Sequence, residues 1–226
     1  MHANTANPLR VDPDILKFCA SLQHSEASSI YKVMLNNNHY CLKVYHENGD
    51  PGHAQDGRDL NRFRCELNAY RNLQAGGVCQ KGVVPRYFGY IDQLDPASYR
   101  PYLDNFMNDK NKPRGILLEL LPNTDSLNCV NYSKDRFEIA MQGLKEIHQV
   151  KVLHNDPYPK NILIAHGDPE RIVWADFDIS TSYSDSQLQD GRVQTWFEEE
   201  FMWAESFGTL LRKDQERGEP PNLNYY

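Results

Sequence analysis

Apolar and polar residues interleave over two short runs, Ser28–Leu35 (SSIYKVML) and His39–Tyr45 (HYCLKVY), which predict a pair of strands. Asn36-Asn37-Asn38 between them predicts the turn of a hairpin. From Leu60 to Leu73 the pattern changes: Phe63, Leu67, Tyr70 and Leu73 recur every three or four positions, the spacing of one helix face. Val83–Ile91 (VVPRYFGYI) and Gly115–Leu121 (GILLELL) predict two more strands, separated by a long insertion, Asp92–Arg114, expected to be either a lid or an inert loop. Ser133 is placed to cap a second helix with Phe137, Ala140, Met141, Leu144 and Ile147 along one stripe. Short apolar segments follow at Val150–Leu153, Ile162–Ala165 and Arg171–Asp176. A last helix is expected from about Val193 to Lys213, with Val193, Trp196, Phe197, Phe201, Ala204, Phe207 and Leu211 on one side and Pro220-Pro221 as its stop. Its aromatic residues Trp196, Phe197, Phe201 and Trp203 read as core packing ahead of a partner surface. Strands come first and helices dominate later, so the fold class is α+β. The break at Leu121–Ser126 is the natural hinge between two lobes.

Composition narrows the function classes. The 226 residues are 40% hydrophobic and 24% charged, enough to bury a core and too apolar for wholesale disorder. Lys+Arg 24 against Asp+Glu 31 gives a net charge of -7, which lacks the footprint of a general nucleic-acid or membrane-surface binder. No apolar run reaches the roughly 20 residues of a membrane span, and the first residues carry no basic stretch followed by an apolar one. Cys19, Cys41, Cys65, Cys79 and Cys129 form no C-x-x-C pair, as expected of buried or half-buried thiols in a reducing compartment. A soluble, cytoplasmic chain is expected. The histidines His39, His46 and His53 around the polar loop after the hairpin match no metal-ligand spacing and are read as solvated.

The chemistry-bearing residues occur in a fixed order. Lys43 lies in the second predicted strand. Glu66 lies on the following helix among Phe63, Leu67 and Tyr70, on the inward stripe, where a carboxylate is costly unless a cation meets it. His154-Asn155-Asp156-Pro157-Tyr158-Pro159-Lys160-Asn161 has the form H-x-D-x-x-x-x-N, and Asp176-Phe177-Asp178 begins 20 residues after Asp156. This series resembles the protein-kinase-like superfamily, from about Ser25 to Asp178.

The resemblance implies a single kinase-like domain over 1–226, with a small β-rich N-lobe at about 14–121 and a truncated helical C-lobe at about 122–226. It implies ATP and Mg²⁺ as cofactors. Lys43 would bring a cation to the phosphates and Glu66 would fix its direction. Asp156 would accept the proton of the attacking hydroxyl, while Asn161 and Asp176 would supply hard oxygen ligands to Mg²⁺. Main-chain groups of Glu119 and Leu121 would meet the adenine ring, with Leu117 or Leu118 behind it. His154 would brace the loop, with Pro157 and Tyr158 shaping it.

Departures from the pattern refine this picture. The stretch 23–29 (QHSEASS) holds no glycine, so serine hydroxyls or amides would have to face the phosphates. Asn155 replaces the arginine that meets a phosphorylated activation loop, which is similar to small-molecule kinases of the aminoglycoside and choline phosphotransferase type. Lys160 stands where tyrosine kinases carry a basic residue, open to a role at the γ-phosphate or to solvent. Asp178 replaces a glycine, as metal ligand or, in preference, as a hydrogen-bonding partner of the loop. Only 48 residues follow it, leaving little room for a peptide-docking subdomain. The plan is similar to that of small fungal kinase-like proteins without an assigned substrate. The resemblance therefore implies a phosphotransferase acting on a hydroxyl of a small molecule. The alternative is a catalytically weak pseudokinase serving as a nucleotide-binding scaffold or sensor, and a protein Ser/Thr kinase stands behind both.

Overall fold

The computed structural model describes Leu9 and residues 15–222. The first residues, read above for a targeting pattern, and the expected start of the first lobe at 14 lie outside them. In chain order the elements are β1 (Leu16–His24), β2 (Ser28–Leu35), β3 (Asn38–Tyr45), α1 (Arg62–Ala75), α2 (Val78–Lys81), β4 (Tyr87–Ile91), β5 (Arg114–Glu119) and β6 (Thr124–Ser126). They continue with α3 (Lys134–Gln149), β7 (Val152–Leu153), β8 (Ile162–Ala165), β9 (Arg171–Trp174), β10 (Thr181–Ser182) and α4 (Gly191–Arg217). The fold is α+β, with a sheet-rich amino-terminal region and a helical carboxy-terminal part. No helix among the described residues is long and apolar enough to cross a membrane.

Two compact units result: Met1–Leu67 with Arg86–Leu120, and Asn68–Pro85 with Leu121–Tyr226. The expected single cut near Leu121 is therefore only half of the division. The second half of α1 and the short α2 group with the carboxy-terminal unit, because residues such as Val83 hydrogen-bond there, to the Trp174 N–H at 2.8 Å. The expected hinge is also shorter than Leu121–Ser126, since Thr124–Ser126 pairs with β8 as a strand.

The first unit is built on an antiparallel sheet in the order β1-β2-β3-β5-β4. The hairpin forms as expected, but its turn is only Asn36-Asn37, both with positive φ, and Asn38 already pairs with Leu35. Two left-handed residues match the twist of the flanking strands, and asparagine tolerates that region. β1 had no signal in the sequence. It is an edge strand with irregular register at two places, and Leu16 is its one buried residue, so little alternation was required of it.

Strand alternation assigns the two faces of this sheet. Tyr31, Leu42 and Leu117 stand opposite one another on β2, β3 and β5, whereas Ile30, Lys43 and Ile116 point the other way. The insertion Asp92–Arg114 is neither lid nor inert loop. Its Leu94, Tyr99, Leu103 and Phe106 join Tyr31, Val33, Leu42, Val44 and Leu117 in one buried cluster, so it roofs the face away from Lys43. Two 3-10 turns, Pro96–Tyr99 and Asp104–Phe106, shape it, and the Tyr31 hydroxyl donates to the Tyr102 carbonyl at 2.7 Å. His46 belongs to the same fixture, stacked 4.2 Å from Phe106 and 2.9 Å from Asp109.

In the second unit α3 packs on α4 and β9, beside the three-stranded sheet β6-β8-β9 and the two-stranded ladder β7-β10. Ser133 caps α3 by accepting from the Arg136 N–H at 3.2 Å. The inward positions named from the sequence are those buried, together with Gly143. α4 outruns its expected span at both ends. Asp190 caps its start, and Gly218, with φ +68°, ends it before the prolines are reached. Gly208 lets α4 approach α3 closely, since a Cβ there would sit 2.4 Å from the Phe137 ring.

Because the insertion is part of the core, truncating a side chain fully inside it should cost what a core residue costs. Leu103→Ala is expected to destabilise the protein by about 2–5 kcal/mol, read from the urea midpoint at constant slope.

Candidate functional site

The candidate residues fall into one group in each unit. In the first, β3 carries Lys43 on the face opposite the roofed core, and α1 carries Glu66. Asn61 caps the start of α1, accepting from the Arg64 N–H at 3.0 Å, and so fixes where Glu66 points. Lys43 Nζ lies 2.8 Å from Glu66 Oε2, and both side chains are almost wholly buried. The cation demanded by a carboxylate on an apolar stripe is thus Lys43. A second donor was not anticipated: the Tyr45 hydroxyl, two residues along the same face of β3, also donates to Glu66 Oε2. Losing Lys43 alone would strand the carboxylate, a change that typically costs about 3–5 kcal/mol. On the same face Cys41 has its thiol pushed up to about 12, first by loss of solvent and then by the Glu66 carboxylate.

The turn between β1 and β2 uses serines for itself. Ser25 Oγ donates to the Ser28 carbonyl at 3.0 Å and accepts from the N–H groups of Ala27 and Ser28. Ser29 is fully buried, held by His24 Nδ1 at 2.9 Å and Asn105 Nδ2 at 3.2 Å. The hydroxyls of Ser25 and Ser29 are therefore part of the hairpin rather than of a phosphate cradle. At Glu119 the backbone N–H is committed to the Arg86 carbonyl at 2.8 Å, and the side-chain Oε2 accepts from the Arg86 N–H at 3.1 Å. Leu117 belongs to the roofed core, so of the two leucines only Leu118, opposite Cys41, is on the Lys43 face. Leu121 is half-buried and opens the second unit.

In the second unit the H-x-D-x-x-x-x-N segment runs from β7 to β8. Asn161, buried, donates its Nδ2 to both the Asp156 carbonyl at 2.8 Å and Asp156 Oδ2 at 2.9 Å. That clamp fixes the carboxylate and turns the Asn161 Oδ1 away from it. Lys160 Nζ is 3.4 Å from Asp156 Oδ2 and 5.3 Å from the Tyr158 ring, with its side chain exposed. Asp156 is half-buried, Asp176 exposed and Asp178 buried.

His154 is fully buried and sets the loop from behind. Its Nε2 lies 3.0 Å from the Ala175 carbonyl, which can only accept, so Nε2 carries the proton and Nδ1 accepts from the Asp156 N–H at 3.3 Å. Asn155 and Asp176 both have left-handed backbone, φ +64° and +65°, a region these residue types enter at low cost. Asn155 also donates Nδ2 to the Ile179 carbonyl at 2.8 Å and to Thr181 Oγ1 at 2.9 Å. It ties the loop directly to the segment that follows Asp178.

The residue that sequence reasoning missed is Glu200 on α4. Its buried carboxylate accepts from the backbone N–H of His154 at 3.0 Å, that of Asn155 at 2.5 Å, and His148 Nε2 at 2.7 Å. The signal was present. Glu200 falls on the apolar stripe between Phe197 and Ala204, where the reasoning used for Glu66 applies unchanged.

The donor set can be tested against a cation. Among the described residues no group of three or more His, Cys, Asp or Glu side chains could hold a metal ion by itself. Asn161 and Asp176 offer one amide oxygen and one carboxylate, which fits a hard cation completed by phosphate and water, the usual manner of Mg²⁺. No protein-family model matches the chain, and no curated protein matches its sequence.

Two outcomes follow. Glu200→Leu leaves two desolvated N–H groups without an acceptor and is expected to destabilise the protein on the order of 3 kcal/mol in chemical denaturation. In native protein at pH 8, iodoacetamide should label exposed Cys19, while protonated Cys41 and buried Cys65, Cys79 and Cys129 stay unlabelled until denaturant is added, as peptide mass spectrometry would report.

Proposed function

We propose that the chain is an ATP- and Mg²⁺-dependent phosphotransferase of two-lobed, kinase-like plan, acting on a hydroxyl of a small molecule. The observation that carries this reading is the Asp156–Asn161 clamp. It holds a carboxylate at fixed direction on a loop braced by His154 and Glu200, and leaves an amide oxygen for a cation. Asp156 takes the proton of the acceptor hydroxyl as its oxygen bonds to the γ-phosphorus and the bond to the β-phosphate oxygen breaks, releasing ADP. Lys43, aimed by Glu66 and Tyr45, donates N–H groups to phosphate oxygens. Asn161 and Asp176 would hold Mg²⁺, which when bound would neutralise charge on the phosphates. Lys160, already beside Asp156, places a second positive charge near the transferring group.

A nucleotide-binding scaffold without turnover is the second reading, and the serines spent inside the β1–β2 turn favour it. Calorimetric titration of ATP with and without Mg²⁺ separates the two. Under the enzyme reading binding requires Mg²⁺ and weakens at least about tenfold in Asp176→Asn. Slow Mg²⁺-dependent ATP hydrolysis should vanish in Asp156→Ala while ATP affinity stays within about twofold. Binding that ignores Mg²⁺ and shows no turnover assigns the scaffold, and hydrolysis that survives Asp156→Ala removes that residue from the mechanism.

A further inference from the structure

The first unit holds a second cluster of nucleophilic and titratable side chains, on the face of the sheet away from Lys43. Ser21 on β1 stands opposite Tyr31 on β2, and His24 stands opposite Ser29. Ser21 Oγ lies 2.5 Å from His24 Nε2, and His24 Nδ1 lies 2.9 Å from Ser29 Oγ. Asn105, from the insertion, donates its Nδ2 to Ser29 Oγ at 3.2 Å. The His24 ring meets the Tyr31 ring edge-on at 5.9 Å, which seats the imidazole. Ser29 is fully buried, whereas Ser21 and His24 are exposed and open to a reagent.

Donor accounting fixes the direction of each bond. The Tyr31 hydroxyl gives its proton to the Tyr102 carbonyl at 2.7 Å, so in its hydrogen bond with Ser29 it can only accept. Ser29 therefore spends its one proton on Tyr31 and accepts from both Asn105 and His24. His24 thus carries its proton on Nδ1 and turns the Nε2 lone pair to Ser21, whose hydroxyl donates. A hydroxyl bonded to an imidazole that a third group orients is the arrangement that activates serine as a nucleophile.

We propose that Ser21 is an acyl-acceptor serine, with His24 as its base, and takes the acyl group of activated carboxylic esters. Ser21 Oγ bonds to the carbonyl carbon as its proton passes to His24 Nε2. The bond from that carbon to the leaving oxygen then breaks, and the imidazolium returns the proton to the departing oxygen. The products are Ser21 acylated on Oγ and a free alcohol or phenol, with His24 neutral again. No residue of the phosphotransferase reading takes part, so the two stand or fall separately.

The test treats the full chain with p-nitrophenyl acetate and follows p-nitrophenol release together with peptide mass spectrometry. The wild type should show a burst of about one equivalent and carry the acetyl group on Ser21. Ser184 and Ser186, exposed but hydrogen-bonded to each other at 2.9 Å, should stay unmodified. Ser21→Ala should remove the burst, and His24→Gln should slow it by about a hundredfold or more, the scale of general-base assistance. Both substituted side chains are exposed, and matched thermal midpoints check that the fold is kept; should His24→Gln fail this check, His24→Asn replaces it with the same expectation. The proposal is overturned if no burst occurs, or if the acetyl group is found on other residues with Ser21 unmodified. It is equally overturned if the burst survives Ser21→Ala, which would make an imidazole the nucleophile, or if loss of the His24 imidazole leaves the rate unchanged.

Discussion

A carboxylate taken out of water must be given donors, and much of what is specific in this chain follows from that constraint at Glu200 and Glu66. At Glu200 the donors are two consecutive backbone N–H groups, so the carboxylate dictates the path of the loop at His154 and Asn155. At Glu66 they are Lys43 and Tyr45, so the carboxylate dictates side-chain direction on β3. In each case the charge is stabilised only in one arrangement, and a small shift would forfeit several hydrogen bonds at once.

The loop around Asp156 shows how such bracing is divided. His154 fixes it through the Ala175 carbonyl, Glu200 through the backbone, and Asn155 through Ile179 and Thr181. With the backbone held by these contacts, Asn161 then fixes the direction of the Asp156 carboxylate. The same division appears in the first unit, where the insertion Asp92–Arg114 fills one face of the sheet and the polar residues gather on the other. The buried Lys43–Glu66 pair can be held stiffly only if the strand beneath Lys43 is packed, and this insertion packs it.

Elements with a strong one-sided pattern are legible in the sequence alone. The hairpin strands, α3 with its Ser133 cap, β8 and the body of α4 come within a few residues of their expected limits because each buries one regular face. β1 is not legible, since an edge strand that buries little needs no alternation. The extent of α4 is underestimated because its last turn, after the buried Leu211, carries no apolar stripe and continues to Arg217 before Gly218 ends it. The insertion is misjudged for a different reason. Tyr99, Leu103 and Phe106 stand three or four positions apart, but Pro101 interrupts them and two separate 3-10 turns carry them, so the spacing matches no helix and does not announce one surface with Leu94.

The sequence by itself determined the α+β class, the main helices and strands, and the order of Lys43, Glu66, Asp156, Asn161 and Asp176. Those depend on local periodicity and on residue types at short spacing, which the chain carries openly. Only the tertiary structure decided that Glu200 serves the loop 45 residues before it, that Tyr45 shares the Glu66 oxygen with Lys43, and that Ser29 is held by Asn105 of the insertion. It also decided that Trp203, one turn from a buried residue, stands beside Tyr158 with its surface exposed. The physical reason is common to all of these. Hydrogen bonds and ring contacts between distant residues are fixed by how elements pack, and packing leaves no period in the sequence to read.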